Sequence, residues 1–535
     1  MEQCVPVEEH DVEPIPAEQQ AGGTWGLRSV WFVVGLSMLS GTAAATLVYG
    51  LGLNAWQATL AGGLGVLATL VVAAILAVLA SRTGTPALVL SRAAFGVRGN
   101  LLPAIVAWAS VTLFAAVIVG GGARRILHVV GTITDADSTA GADLPALAIA
   151  TVALVGTLAV LVAVWGQRVL TLVTLIGGVV FGLLTLASSA FLLEQVGVSS
   201  ALEGQAAPVA DVVTGVMIVF VTGSIWVIGG DVARHQPRST SARSLTKTII
   251  GYAGIPAIML LALGALRAAA AISDNPDAST QALTLDPGSG LPMWVQLIYA
   301  GAVLGASVLF AGVLLYSCGL IARAAGSPLS RARSTVVTAA VAAGAAGVML
   351  IGDVELSLQL QTAAVVVGIV VLVWLGVVLV DLLARQELDP DALVSADREA
   401  PYFYSRGFHL PGLLAWVTGM AAAALFVEIP TRSGPDLAGP LAHTLVGEYG
   451  IGWLIAFTAG AGAYAAFGGT QAERRRVLRL HREKQEYRAE QRRLRWQAKE
   501  EPASEDEHPQ QEATDSRPVL GPRHWWNRRD DSPAG

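Results

Sequence analysis

Residues Val212 to Arg238 read VVTGVMIVFVTGSIWVIGGDVARHQPR, and the rest of the chain is organised around them. The apolar run is long enough to cross a bilayer, which takes roughly 20 residues. Gly223 and Ser224 interrupt it, Trp226 follows, and Gly229 and Gly230 precede Asp231, Arg234, His235, Pro237 and Arg238. Glycine weakens a helix through backbone entropy, and Pro237 prevents continuation. Two readings are open at this point. Small residues in a span let helices pack closely. A span weak in its middle can instead leave backbone groups free at mid-depth, which transporters use to build substrate sites.

Working outward, similar runs recur along the chain. Of its 535 residues, 53% are hydrophobic and 14% are charged, against about 25% charged in a soluble domain. Charges are absent from long stretches and crowd the last segment. The chain therefore reads as an all-α polytopic membrane protein. Twelve spans are expected, at about 29–50, 54–81, 101–122, 144–165, 169–193, 211–230, 246–271, 292–322, 335–352, 358–383, 410–428 and 449–468. Residues 1–28 form a polar, acidic N-terminal tail (EEHDVEPIPAEQQ) without the basic start and cleavage site of a signal peptide. The two cysteines, Cys4 and Cys318, make no disulfide framework or metal spacing, and no cofactor is expected.

Charge orients the bundle. Placing the N-terminus in the cytoplasm puts Arg82, Arg92, Arg98, Arg168, Arg234, Arg238, Arg243, Lys247, Arg323, Arg331, Arg333, Arg385, Arg398 and Arg406 in loops on the inside. The alternate loops carry Asp135, Asp137, Asp143, Glu194, Glu203, Asp274, Asp277, Asp286, Asp353, Glu355, Glu428, Asp436 and Glu448. This is the positive-inside pattern, with Arg124, Arg125, Arg267 and Arg432 as exceptions. It makes the span count even and both termini cytoplasmic, in a cell (inner) membrane. In the cytoplasmic tail 469–535, Glu473 to Lys499 holds eleven Lys or Arg. It reads as a partly helical segment drawn to anionic lipid, or as a partner-binding helix. Glu500 to Gly535 is expected to be disordered. A basic tail alone does not indicate nucleic-acid binding.

The loop Ser81 to Trp108 reads SRTGTPALVLSRAAFGVRGNLLPAIVAW. On physical grounds it is a short amphipathic segment, with Leu88, Val89, Leu90, Ala93, Ala94 and Phe95 on the interface and Arg82, Arg92 and Arg98 toward water. Its run of Gly84, Pro86, Ser91, Arg92, Phe95, Gly96, Gly99, Leu102 and Pro103 closely resembles the signature of the nucleobase:cation symporter-1 family of cytosine, purine, allantoin and hydantoin permeases. Further stretches agree in order: Trp31-Phe32; Asp231, Arg234 and Pro237; Tyr316, Ser317 and Gly319; Trp374, Val377 and Asp381; Tyr404 and Gly407. The resemblance covers residues 25 to 470.

What the resemblance implies is a five-plus-five inverted-repeat core over about 29–383, with two extra C-terminal spans in 410–468. Spans one and six are then symmetry partners broken at mid-membrane, with the substrate between them and spans three and eight. Span one has a weak centre of its own in Gly35, Ser37, Ser40, Gly41 and Thr42. A planar heterocycle needs aromatic faces to stack on and polar groups to match its donors and acceptors. The substrate-site candidates are Gly35, Ser37, Thr112, Phe114, Gly223, Ser224 and Trp226. The family's mid-span-three tryptophan is missing, since that place reads SVTLFAAV with Leu113 and Phe114. Asparagine and glutamine are absent from the middle of spans one, three and eight. Serine and threonine within a span usually satisfy a local carbonyl instead.

For a coupling Na+ or H+, span eight offers Ser307 and Ser317. A proton relay wants an intramembrane carboxylate or histidine, and none lies deep in a span. Arg92, Asp231, Arg234 and Asp381 are assigned to a cytoplasmic gate or to structure, with Asp231 expected to pair with Arg234 and Asp381 with Arg385. The expected activity is cation-coupled import of a nucleobase-like heterocycle by alternating access. The alternative is a transporter-like receptor that binds without coupled uptake. An enzyme is excluded by the lack of a His/Asp/Glu cluster or nucleophile–base pair, and a channel by the lack of a charged ring or carbonyl filter.

Overall fold

The computed structural model describes residues 8, 11–37, 43–134, 145–194, 204–222, 225–274, 292–352, 354–385, 387–429, 437–469 and 471–500. Gly223, Ser224, Ser40, Gly41, Thr42, most of the acidic loops and the segment after Glu500 lie outside the described residues. The helices are α1 (Thr24–Gly35), α2 (Ala55–Thr83), α3 (Leu101–Thr134), α4 (Pro145–Val164), α5 (Gln167–Glu194), α6 (Val209–Thr222) and α7 (Trp226–Ala233). They continue as α8 (Ala242–Ile272), α9 (Met293–Ala324), α10 (Arg331–Ile351), α11 (Val354–Ala384), α12 (Leu410–Phe426), α13 (Gly452–Phe467) and α14 (Gln471–Glu500). A two-residue β-ribbon, Glu428–Ile429 against Leu437–Ala438, is a small departure from the all-α expectation.

Eight of these helices are long and apolar enough to cross a membrane, and three shorter apolar ones accompany them. On α5, Leu175, Ile176, Val179, Val180, Leu183 and Leu186 are all exposed. In water so large an apolar band would be a liability; against lipid tails it is the expected outer face. Local chemistry marks the element ends. Asn54 and Gln57 form a reciprocal capping box at the start of α2, the Asn54 side chain accepting from Gln57 N at 2.8 Å.

Two apolar stretches are broken in the middle. α1 stops at Gly35, and helical backbone resumes at 43, ending in a π-helical turn over Thr46–Gly50. α6 stops at Thr222, and α7 starts at Trp226. α7 packs on α2, α1 on α5, and α3 runs beside α9. The last pair is antiparallel, so Thr112 lies level with Cys318 and Gly122 with Ser307.

The loop between α2 and α3 departs from expectation. It does not lie on an interface. It folds into two short helices, Ala87–Leu90 and Arg92–Phe95, whose Leu88, Val89, Leu90, Ala93, Ala94 and Phe95 are buried in protein. Arg92 is buried too, while Arg98 stays exposed. Gly96 sits at φ 82° and ψ 165°, a conformation essentially reserved for glycine, and that turn sends the chain into α3. Burial is possible because the arginine finds carbonyl partners: Arg92 Nη1 donates to Leu393 O at 3.2 Å and Nη2 to Ala324 O at 3.1 Å. Those carbonyls belong to helix ends, which favour a cation.

Candidate functional site

The middle of the bundle is poor in satisfied polar groups. Trp226, the first residue of α7, stacks on Trp374 of α11 with ring centroids 5.2 Å apart and planes at 25°. Both rings are buried, and the Trp374 indole N–H has no hydrogen-bond partner among the described residues. The same holds for Trp31 Nε1 and Ser307 Oγ. Buried polar atoms are nearly always paired, so these are candidates for a ligand's attention. Trp374 entered the sequence reading only as part of a family pattern; nothing in its spacing showed that it would face Trp226.

The other expected residues divide. Phe114 and Ser37 are buried. Thr112 Oγ1 donates to Trp108 O at 2.6 Å and lies 3.8 Å from Cys318 Sγ, so its hydroxyl is engaged locally. Gly35 is where α1 presses on α8: a Cβ there would sit 2.4 Å from Ala253 O and 2.6 Å from Pro256. Its smallness serves that crossing. Ser307 and Ser317 are ten residues apart on one helix, about 15 Å along its axis. One ion therefore cannot touch both, so they are separate cation-ligand candidates. Gly223 and Ser224 lie outside the described residues.

One end of the bundle, the tail face, is by contrast densely paired; it carries Glu8 and residues 11–22. Asp381 bridges Arg385 at 2.7 Å, as expected, and accepts from Tyr464 OH at 2.6 Å. Arg385 also donates to Ala93 O, and Tyr404 OH donates to the same carbonyl. Tyr404 and Arg406 hold φ of 45° and 54°, strained for residues with side chains; that turn presents Gly407 O to the N–H groups of Arg98 and Gly99. The buried loop is thus clamped from α11 and from the segment before α12.

The expected Asp231–Arg234 pair is replaced by something else. Asp231, fully buried, accepts from Ala87 N at 3.1 Å. Arg234, also fully buried, turns to the tail: Nη2 meets Glu8 Oε1 at 2.6 Å and Nη1 donates to Asp11 O at 2.6 Å. Glu8 further accepts from Tyr316 OH at 3.2 Å and Gln167 N at 3.0 Å, with His235 Nε2 at 3.4 Å and Arg331 Nη2 at 3.9 Å. Asp11 bridges Arg323 at 2.9 Å and accepts from Arg331 N at 3.2 Å. Burial alone would raise the Glu8 carboxyl, but the His235 hydrogen bond and the charges of Arg234 and Arg331 outweigh it and hold it well below the usual carboxylate range. Sequence reading missed Glu8 and Asp11. Their acidity beside loops rich in arginine was the available signal.

The comparisons with known proteins follow this geometry. The model of the family described as permease for cytosine/purines, uracil, thiamine, allantoin matches residues 14–455. No curated protein matches the chain in sequence. Among solved structures, Mhp1, a nucleobase-cation-symport-1 family transporter in a closed conformation with bromovinylhydantoin bound, superposes with TM-score 0.62 at 14% identity, over 88% of this chain and 99% of that one. Mhp1 in an inward-facing conformation gives 0.60 at 15%, over 89% and 99%. A Na+-coupled sialic acid symporter in a substrate-bound outward-open state gives 0.53 at 13%, over 84% and 91%. The apolar helices and the family match make this a multi-pass membrane transporter. The chain belongs to the cytosine/purine, uracil, thiamine and allantoin permease family, whose members are transporters rather than enzymes.

Proposed function

We propose that this protein imports a nucleobase or related nitrogen heterocycle into the cell by cation-coupled alternating access. The observation that carries the reading is the pair of interruptions, after Gly35 and between Thr222 and Trp226. Breaks in two helices free backbone donors and acceptors where protein surrounds them. The twelve spans are then two inverted repeats of five plus two C-terminal spans, α1 and α6–α7 being symmetry mates. Rocking of one helix group against the other exposes the site to either side. The alternation of basic and acidic loops makes the tail face cytoplasmic. Trp226, backed by Trp374, supplies one stacking wall, and Phe114 replaces the family's span-three tryptophan on the other. The bromovinylhydantoin bound to Mhp1 is a ring of the size such walls would hold. Ser307 and Ser317 remain separate cation-ligand candidates, and neither Na+ nor H+ is favoured by the residues present.

Purified protein in liposomes is tested for uptake of radiolabelled cytosine, uracil, hypoxanthine, allantoin and hydantoin, with and without sodium and pH gradients. Accumulation driven by one gradient is expected. Uptake that ignores both gradients sinks the symport mechanism, and binding without accumulation turns the reading to a receptor. Trp226→Ala is expected to weaken ring binding by about tenfold or more, the loss typical of an aromatic anchor.

A further inference from the structure

The segment before α1 makes more polar contacts with the bundle than a loose tail would. Glu8 and Asp11 lie among Arg234, His235, Arg323 and Arg331, with Tyr316 beside them. The contacts continue along the segment. Ile15 N donates to Gly84 O at 3.1 Å, and Gly22 N to His235 O at 2.9 Å. Gln20 Nε2 reaches Ser81 O at 3.1 Å and Arg234 O at 2.8 Å, while Arg238 Nε donates to Gln20 Oε1 at 3.1 Å. Ile15 and Gln20 are buried.

The partners fall into two sets. Ser81, Gly84, Arg234 and His235 end α2 and α7. Tyr316, Arg323, Arg331 and Gln167 belong to α9, α10 and α5. A single stretch of chain therefore bonds both to the helix that follows the break and to α5, α9 and α10, adding to the direct His235–Tyr316 contact between the two sets at 3.2 Å. The four basic groups also hold other elements together: Arg331 donates to Ala163 O and Val164 O, at the end of α4. Separating the two sets would strip Glu8 and Asp11 from cations that burial leaves with little water.

We propose that Glu8 and residues 11–22 belong to an acidic strap that docks in this basic site and holds the tail face shut, so that inward opening requires its release. The proposal rests on the transporter reading for the orientation of this face and for the existence of an open state. Conformations that lack the strap contacts are disfavoured by their loss, and weakening them shifts the population toward the open form.

Cys318 provides a reporter. It is buried, lies against Thr112, and is two residues beyond Tyr316, between the strap and the broken helices. In a Cys4→Ser background it is the single thiol. Inside-out vesicles carrying this protein are treated with a membrane-impermeant maleimide. With Glu8→Gln and Asp11→Asn together, Cys318 is expected to react about tenfold faster, within the range of ordinary coupling between sites. A synthetic peptide of residues 1–22 with serine in place of Cys4 is expected to restore the slow rate, and the same thiol-free peptide with both acids neutralised is not. Equal rates with and without the acids overturn the strap, as does an acceleration that the acidic peptide fails to reverse. Should the double variant not reach the membrane, Asp11→Asn alone is read in the same way, because Arg323 keeps some access to water. The assay uses no substrate. Failure of uptake for every heterocycle leaves it intact, and unaltered labelling in a protein that transports removes the strap alone.

Discussion

The tail face and the middle of the bundle solve opposite problems with similar residues. On the tail face, Asp381, Arg385, Tyr464, Arg92, Arg234 and Glu8 are buried or nearly so, and each has a partner within hydrogen-bond distance. In the middle, Trp31, Trp374 and Ser307 each bury a polar atom without a partner among the described residues. A paired charge inside protein needs its mate, which makes the face a structural lock. An unpaired dipole in a dry site is tolerable only where something else visits it. Under the proposed function, the first region holds the fold and the second is where a ligand's polar groups would find partners.

The largest effect should come from breaking the lock. Arg385→Met removes the ion pair of the fully buried Asp381, and breaking a buried pair costs about 3–5 kcal/mol. Thermal unfolding in detergent should show a large drop in midpoint. A midpoint within a degree or so of the parent would mean the pair contributes little. A smaller loss, roughly 1–3 kcal/mol, is expected for Gly35→Ala from overpacking against Ala253 and Pro256. A ligand-affinity loss with unchanged stability would instead return Gly35 to the substrate site.

The smallest effect on stability, and the one that sharpens the contrast most, concerns the two serines. Ser307→Ala removes a hydroxyl without a partner among the described residues and should leave the unfolding midpoint nearly unchanged, whereas Ser317→Ala removes one that lies against buried Asp231 and should lower it slightly. Since they stand about 15 Å apart along α9, at most one should alter the cation dependence of uptake. Matching changes in both would contradict separate sites.

Much of the plan was legible in the sequence. Run lengths and charge segregation announced a multi-pass helical protein, because crossing a bilayer needs a fixed length of apolar chain. The Gly84–Pro103 run carried the family. The Asp381–Arg385 pair was legible as well, since four residues on a helix bring side chains together. Arg92 was misread because its charge argued for water, whereas carbonyls of Leu393 and Ala324, some 300 and 230 residues away in sequence, take that role.

Sequence by itself thus determined what local chemistry determines: how many residues stay apolar, where glycine and proline stop a helix, and which side each charged loop prefers. Tertiary structure alone decided which partner each buried polar group would have. Trp226 found Trp374, and Arg234 passed over Asp231, three residues away, for Glu8 at 2.6 Å. Pairing over such separations depends on how the helices are packed, and packing is a property of the whole bundle that no single stretch of sequence carries.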